Sequence, residues 1–299
     1  MQTLVLALLL AAVLAFFLPA VQNCVRGTLD ARPAAIWAVP FLLVAIFSGA
    51  AALAGAFSLP LALLALGYTA APVACAWAGP RGRSAGFMER PAALDFVAIL
   101  SLWLPLEFAA GARLVPRSAQ AFLHSVAYGI AILLGLVLFI GFRSFSGMKY
   151  NLPRRRSDFG LPLAAFALTA PVLMAVGIAL GFIPPPHWPG GAATGGRMAG
   201  AFGVILAGTA LPEEILFRSL IQNLIVLRFG ASWRTLLAAA LIFGCAHLDN
   251  GPQPLPNWRY MILATIAGVA YGKVFQRAST VLSSAALHAM VDWTKHFFF

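Results

Sequence analysis

Apolar stretches of about 20 residues recur along almost the whole chain, separated by short segments that carry charged residues, Pro or Gly. A stretch of this length matches the ~30 Å hydrocarbon core of a bilayer. Because backbone polar groups in lipid must be satisfied within each segment, these stretches predict helices. We therefore predict an all-α, polytopic transmembrane helical bundle of about ten spans. The predicted spans lie near residues 2–22, 35–56, 60–79, 92–111, 119–141, 160–183, 198–227, 232–248, 259–276 and 279–298.

The first of these spans resembles the apolar region of a signal peptide. No Lys or Arg precedes it, however, and Gln22-Asn23-Cys24 is a poor small-residue cleavage sequence. We interpret this stretch as a retained helix.

Composition supports a membrane environment, since 61% of the residues are hydrophobic and only 10% are charged, too few to cover a water-soluble surface of this size. The chain is thus expected to be a multi-pass integral membrane protein with the lipid bilayer as its main partner. We expect it in the inner membrane of a bacterial cell. The net charge of +11 does not indicate a nucleic-acid partner, because the basic residues lie in the loops between predicted helices rather than on one face.

The longest basic connection runs through Arg154-Arg155-Arg156 and predicts a boundary between two groups of five spans. We predict N-terminal transmembrane helices of unknown role over 1–142, a basic cytoplasmic loop over 143–159 and a second module over 160–299. The three cysteines show no CxxC spacing, so they predict neither a disulfide framework nor a metal knuckle.

Ionisable side chains within a bilayer cost roughly 2.5–3.5 kcal/mol each, which makes them candidates for function. In this sequence they are concentrated in the predicted seventh, eighth and tenth spans. They are Glu213, Glu214, Arg218, His247, His288 and Asp292.

The first motif is Leu211-Pro212-Glu213-Glu214-Ile215-Leu216-Phe217-Arg218. Glu214 and Arg218 are four residues apart, so they share one helix face and can pair. Glu213 projects about 100° away from Glu214 and is predicted to serve acid and base chemistry, because a desolvated carboxyl titrates nearer neutral pH. The alternative interpretation is an ion pair that fixes helix register. Pro212 is predicted to loosen the preceding helical turn.

Two further motifs follow. Phe243-Gly244-Cys245-Ala246-His247 ends the predicted eighth span, where a lone histidine is often only an interfacial residue. His288-Ala289-Met290-Val291-Asp292 places His288 and Asp292 on one helix face, either as a functional couple or as a simple helix-pairing contact.

The three motifs together, EExxxR, FxxxH and HxxxD in that order on successive predicted helices, resemble those of the CAAX prenyl endopeptidase and bacteriocin-processing family (CPBP, or Abi) of intramembrane proteases. The resemblance covers about residues 160–299 and implies a protease core with a water-filled cavity in this half of the chain. It leaves the first five predicted spans without a family interpretation.

By this resemblance, the catalytic residues are Glu213, Glu214, His247, His288 and Asp292. Glu213 would act as the general base with support from Glu214, and His247 would position water or polarise the scissile carbonyl. His288 and Asp292 would stabilise the oxyanion, although the family more often has Asn at the last position and an ionised Asp292 would rather orient His288. Arg218 and Phe243 would give structural support.

A cofactor is not expected. The alternative is zinc held by His247 and His288, which the absence of an HExxH sequence argues against.

The predicted function is therefore that of an intramembrane endopeptidase (a hydrolase) acting on a membrane-anchored protein or peptide, whether carrying a C-terminal tag or prenylated. One alternative is a transporter in which the same acids and histidines relay protons or bind a cation. Another is a membrane scaffold without catalysis. The oligomeric state is left open by the sequence.

Overall fold

A computed structural model of the chain describes residues 1–79, 90–189, 194–251 and 254–299. The described residues form helices and no strand, which confirms the predicted all-α fold. The chain divides into two compact units, an N-terminal unit Met1–Gly147 and a C-terminal unit Met148–Phe299. Most of the segment between the predicted third and fourth spans, and part of the segment between the predicted sixth and seventh spans, lie outside the described residues.

The N-terminal unit is built from six α-helices within its described residues. They are α1 (Gln2–Ala15), α2 (Pro19–Ala31), α3 (Ala38–Leu53), α4 (Leu59–Ala78), α5 (Ala93–Glu107) and α6 (Arg117–Leu136). A π-helical segment, Val137–Phe142, extends α6. Buried apolar side chains such as Ile36, Val126 and Leu134 form the core of the N-terminal unit.

A buried ion pair stabilises the end of this unit. Arg143 Nε and Nη2 donate to the two carboxylate oxygens of Asp95 at 2.7 and 2.9 Å. Asp95 also accepts from the Ala92 backbone N–H at 2.8 Å, which caps α5. Because one carboxylate serves both a helix start and a bidentate guanidinium, Asp95 is satisfied despite complete burial.

The C-terminal unit contains the remaining helices of the described chain. They are α7 (Ser157–Ala179), α8 (Thr194–Ile205), α9 (Leu211–Glu214), α10 (Asn223–Phe229), α11 (Trp233–Cys245), α12 (Trp258–Arg277) and α13 (Leu282–Phe298). Two π-helical segments, Leu206–Ala210 and Ile215–Gln222, join α8, α9 and α10 into one continuous apolar helix.

The predicted number of about ten spans is not confirmed. Among the described residues, five helices are long and apolar enough to cross a membrane: Pro33–Leu53, Leu59–Ala78, Arg117–Phe142, Ser157–Ala179 and Gly195–Phe229. A sixth is gained if α1 and α2 form one broken span, since the predicted first helix bends by 83° at residues 16–18. Helices α5, α11 and α13 have fewer than 18 residues, and α12 is too polar in composition.

The outer faces of the long helices are apolar. Leu163 and Leu168 of α7 are more than half exposed, and so are Phe41 and Leu42 of α3. Such faces are costly in water and suit lipid. Together with the apolar spans, they confirm an integral membrane protein.

Lys149, within the predicted basic loop, is a helix cap. Its Nζ donates to the carbonyls of Phe275, Gln276 and Ala278 at 2.6 to 3.0 Å, at the C-terminus of α12. A cation at this position satisfies terminal carbonyls and opposes the negative end of the helix dipole. Burial lowers the pKa of Lys149 from its ordinary value.

Asp158 stabilises the same end of the C-terminal unit. Its carboxylate accepts from the Ser279 backbone N–H and hydroxyl at 2.8 and 2.5 Å. It also accepts from the backbone N–H groups of Arg154 and Arg155, both at 2.9 Å. The start of α7 is thus fixed to the turn between α12 and α13, which holds the ends of three helices together.

Helices α11 and α12 approach each other closely at Gly244. A Cβ atom on Gly244 would lie 2.7 Å from the backbone carbonyl of Met261 and would overlap the Thr265 hydroxyl. Gly268 on α12 is also tight, because its Cβ would lie 3.2 Å from Cα of Ala240. Since His247 follows directly after α11, this contact determines where that histidine lies relative to α12.

We expect Gly244→Ala to destabilise the protein by about 1–3 kcal/mol, because overpacking forces a backbone shift between α11 and α12. Thermal unfolding in detergent measures this. Gly203→Ala on α8 is the matched control, since a Cβ atom there meets nothing within 4 Å. Equal melting temperatures for Gly244→Ala and the wild type would contradict the close approach.

Candidate active site

The first motif lies in the helix that changes between α and π geometry. Pro212 is in the first turn of α9 and has no N–H, so the carbonyl four residues before it lacks its usual partner. The wider π turns lie directly before and after α9. Single π turns are frequent at functional sites. The predicted loosening of the preceding turn is therefore present.

Glu214 and Arg218 form the predicted ion pair. Arg218 Nε donates to Glu214 Oε2 at 3.1 Å, and both side chains are fully buried. The second carboxylate oxygen of Glu214 faces Nδ1 of His288 at 3.2 Å. The pair thus also connects the first motif to the third, through a contact between residues 74 positions apart.

Glu213 lies on a different side of the helix and lines a cavity in the C-terminal unit. Its side chain is 22% exposed, whereas that of Glu214 is 0% exposed. Two adjacent carboxylates therefore have separate surroundings. Glu214 is buried in an ion pair, and Glu213 is open to small molecules that enter the cavity.

The second motif places His247 at the same cavity, just beyond the end of α11. Its Nδ1 lies 2.8 Å from the Phe243 carbonyl, which can only accept, so Nδ1 carries the proton. In the neutral ring Nε2 is then a hydrogen-bond acceptor. His247 is 7% exposed, so its side chain is buried within the protein.

The third motif completes the lining. His288 Nε2 lies 3.4 Å from Asp292 Oδ2 and 3.9 Å from Glu213 Oε2. Its two ring nitrogens therefore face carboxylates on both sides, which favours donation from both. His288 is the point at which Glu213, Glu214 and Asp292 meet.

Aromatic rings surround these groups. Phe243 makes edge contacts with the rings of His247 and His288, at centroid distances of 4.8 and 5.7 Å. The Arg218 guanidinium lies 4.9 Å from the Phe243 centroid. Phe243 therefore contacts residues of all three motifs.

Sequence reasoning missed two tyrosines of α12. Tyr271 stacks on His288 with centroids 4.6 Å apart, and Tyr260 contacts the His247 ring at the same distance. The sequence around these tyrosines gives little indication that they contact the motif histidines. Tyr271 lies between Gly268 and Gly272 in an apolar helix, a pattern that permits close packing but does not identify its partner.

The cavity has a volume of about 120 Å³. A water molecule needs roughly 10–15 Å³ of such space, so several waters fit. Its polar lining includes Glu213, His247, His288 and Asp292, and its walls are largely apolar. Among the residues the structure describes, no group of three or more His, Cys, Asp or Glu side chains is arranged to hold a metal ion.

We expect Arg218→Met to lower the free energy of unfolding by about 3–5 kcal/mol, because it leaves the Glu214 carboxylate buried without its guanidinium partner. The double variant Glu214→Gln, Arg218→Met should recover much of this loss, since the buried charge is also removed. Thermal unfolding of the two variants checks this. A stable Arg218→Met single variant would show that the pair is not a structural requirement.

Comparison with known proteins bears on the same segment. Residues 196–294 match the family model described as Type II CAAX prenyl endopeptidase Rce1-like. No curated protein and no solved structure matches the chain. The matched residues contain all three motifs and nearly all of the polar lining of the cavity. The match confirms the resemblance of this segment to the CAAX prenyl endopeptidases that its motifs predicted.

Proposed function

We propose that this protein is an intramembrane endopeptidase that hydrolyses a peptide bond of a membrane-anchored protein or peptide, with Glu213 activating the water. The observation that carries this proposal is the convergence of Glu213, His247, His288 and Asp292 on one cavity with room for several waters, in a unit whose long helices present apolar faces. The Rce1-like match over the same segment supports peptide hydrolysis in particular.

Glu213 is suited to be the general base because its side chain lines the cavity, whereas that of Glu214 does not. A water hydrogen-bonded to its carboxylate would transfer a proton to it while the water oxygen attacks the scissile carbonyl carbon. When the tetrahedral intermediate collapses, the C–N bond breaks and Glu213 returns the proton to the leaving amine. Glu214 cannot take this role, since its carboxylate is already committed to Arg218 and His288.

His247 is suited to hold the attacking water. With its Nδ1 proton donated to the Phe243 carbonyl, Nε2 can accept a hydrogen bond from that water. Its ring is fixed between Phe243 and Tyr260, so little reorganisation is needed.

His288 is suited to stabilise the oxyanion. Its ring is held by Glu214 at Nδ1 and is stacked on Tyr271, while Nε2 points towards Asp292 and Glu213. An N–H donor fixed beside the reacting centre in an apolar cavity stabilises developing negative charge strongly. Asp292 would orient and charge-balance His288 rather than contact the oxyanion, because an ionised carboxylate cannot donate.

The substrate is proposed to be a prenylated or otherwise C-terminally anchored protein, in line with the family description. The inner membrane of a bacterial cell is the proposed location. The transporter and scaffold alternatives stay predictions, and the first experiment below tests them against the protease.

We expect Glu213→Gln to reduce peptide-bond cleavage by roughly a hundredfold or more, the contribution of a general base. The assay uses purified protein and a panel of membrane-anchored C-terminal peptides, with cleavage followed by mass spectrometry. Glu107→Gln is the matched control, because Glu107 lies in the N-terminal unit outside this cavity. Unchanged cleavage by Glu213→Gln would reject Glu213 as the general base, and no cleavage of any peptide by the wild type would favour a transporter or scaffold.

We expect the same cleavage to persist in the presence of a strong zinc chelator, because the proposed nucleophile is activated by a carboxylate. Dialysis against 1,10-phenanthroline followed by the peptide assay measures this. Loss of activity that added zinc restores would instead make His247 and His288 metal ligands.

A further inference from the structure

One end of the C-terminal unit carries a dense set of basic side chains that the proposed chemistry does not use. They come from three separate stretches of the sequence: the residues just before α7, the turn between α10 and α11, and the last turns of α12. All of them are exposed. These residues, which we call the basic end, are Arg154, Arg155, Arg156, Arg228, Arg234, Lys273 and Arg277.

Contacts between helices bring the three stretches together. Gln222 Nε2, just before α10, donates to the Gly272 carbonyl of α12 at 3.1 Å. A Cβ atom on Gly272 would lie 2.6 Å from the side chain of Leu236 in α11. Lys149 caps the end of α12, and Asp158 fixes the start of α7 to the turn that follows α12. The start of α7, the turn between α10 and α11, and the end of α12 therefore lie at the same end of the unit.

Acidic side chains do not balance the charge of the basic end. Of the five carboxylates in the C-terminal unit, Asp158 is the one at this end, and it is buried and bonded to Ser279 and to backbone N–H groups. Among the described residues, none of the basic side chains of this end forms an ion pair with a carboxylate. The counter-charge must therefore come from outside the chain.

Large aromatic side chains are exposed among these cations. Phe229 and Trp233, on the two sides of the turn between α10 and α11, are 70% and 69% exposed. Phe159, in the first turn of α7, is 66% exposed. A soluble acidic partner would neutralise the cations but offers no apolar layer for these rings, whereas phospholipid offers both. Aromatic rings and basic side chains together are typical of the headgroup level of a membrane.

We propose that the basic end binds anionic phospholipids. The arginines and Lys273 contact the lipid phosphates, and Phe159, Phe229 and Trp233 lie in the adjoining acyl layer. Bound phosphate reduces the repulsion among the like charges, so anionic lipid stabilises the packing of these helix ends. The proposal is independent of the peptidase activity, because none of these residues lines the cavity.

Thermal unfolding of the full chain in a neutral detergent at low salt tests this. The protein is titrated either with anionic dioleoylphosphatidylglycerol or with zwitterionic dioleoylphosphatidylcholine. Saturating phosphatidylglycerol should raise the melting temperature by about 5 °C, because it binds the folded state. Phosphatidylcholine should produce no comparable shift. High salt should weaken the response to phosphatidylglycerol, since it screens exposed charges.

A triple variant identifies the surface. Arg154→Gln, Arg155→Gln and Arg156→Gln together should weaken the affinity for phosphatidylglycerol by roughly a hundredfold, at about fivefold for each cation removed. Without lipid, this variant should melt at the same or a higher temperature than the wild type. The reason is that these cations repel their neighbours and oppose the positive end of the α7 dipole. A lost lipid response at unchanged stability does not reflect a lost fold.

The matched control is a triple variant of exposed arginines that do not belong to the basic end: Arg113→Gln, Arg117→Gln and Arg197→Gln. It should keep the full response to phosphatidylglycerol. The double variant Phe229→Ala, Trp233→Ala tests the apolar contact and should also weaken the affinity for this lipid.

Several results would overturn the inference. Equal stabilisation by the two lipids would show that lipid charge is not recognised. A full response in the variant of Arg154, Arg155 and Arg156, or an equal loss in the control variant, would show that the basic end is not the binding surface. Stabilisation by soluble glycerol 3-phosphate to the same extent as by phosphatidylglycerol would assign the surface to free phosphate rather than lipid.

Discussion

The buried contact of Glu214 with Arg218 and His288 is the constraint on which the rest of the site depends. A carboxylate that is fully buried in a lipid-facing protein is tolerated only if its oxygens are satisfied. One oxygen of Glu214 binds Arg218 in its own helix, and the other faces His288 in α13. This single carboxylate therefore fixes both the register of the first motif and the position of α13, and it leaves the adjacent Glu213 facing the cavity.

An aromatic layer packs around this charged centre. Phe243 lies against the Arg218 guanidinium, the His247 ring and the His288 ring, and Tyr271 covers the other face of His288. These rings can approach because glycines allow α11 and α12 to pack closely. Electrostatic interactions in such surroundings are stronger than in water, which strengthens the ion pair and would also stabilise the oxyanion of the proposed hydrolysis.

The opposite end of the C-terminal unit has its own polar contacts. Lys149 caps α12, and Asp158 joins the start of α7 to the turn before α13. Because α12 and α13 also carry the tyrosines, His288 and Asp292, these contacts position the cavity without touching it. The rest of the unit can then present apolar side chains to lipid, as α7 does with Leu163 and Leu168.

Sequence alone determined the features that depend on composition and on spacing within one helix. The apolar stretches were enough to predict a helical membrane protein. The four-residue spacings were enough to predict the pairs Glu214–Arg218 and His288–Asp292, because residues four apart share a helix face. The order of the three motifs was enough to predict a family resemblance over about residues 160–299, within which residues 196–294 match the family model.

Tertiary structure decided what depends on helix ends and on contacts between helices. The predicted number of about ten spans is not confirmed, because a bend at residues 16–18 and early helix ends shorten several apolar stretches among the described residues. Neither feature can be read from the hydropathy of the sequence. The contact of His288 with Glu214 and the contacts of Tyr260 and Tyr271 with the two histidines were also absent from the sequence pattern. Each arises from side chains that only helix packing brings together, and no spacing rule along the chain encodes that packing.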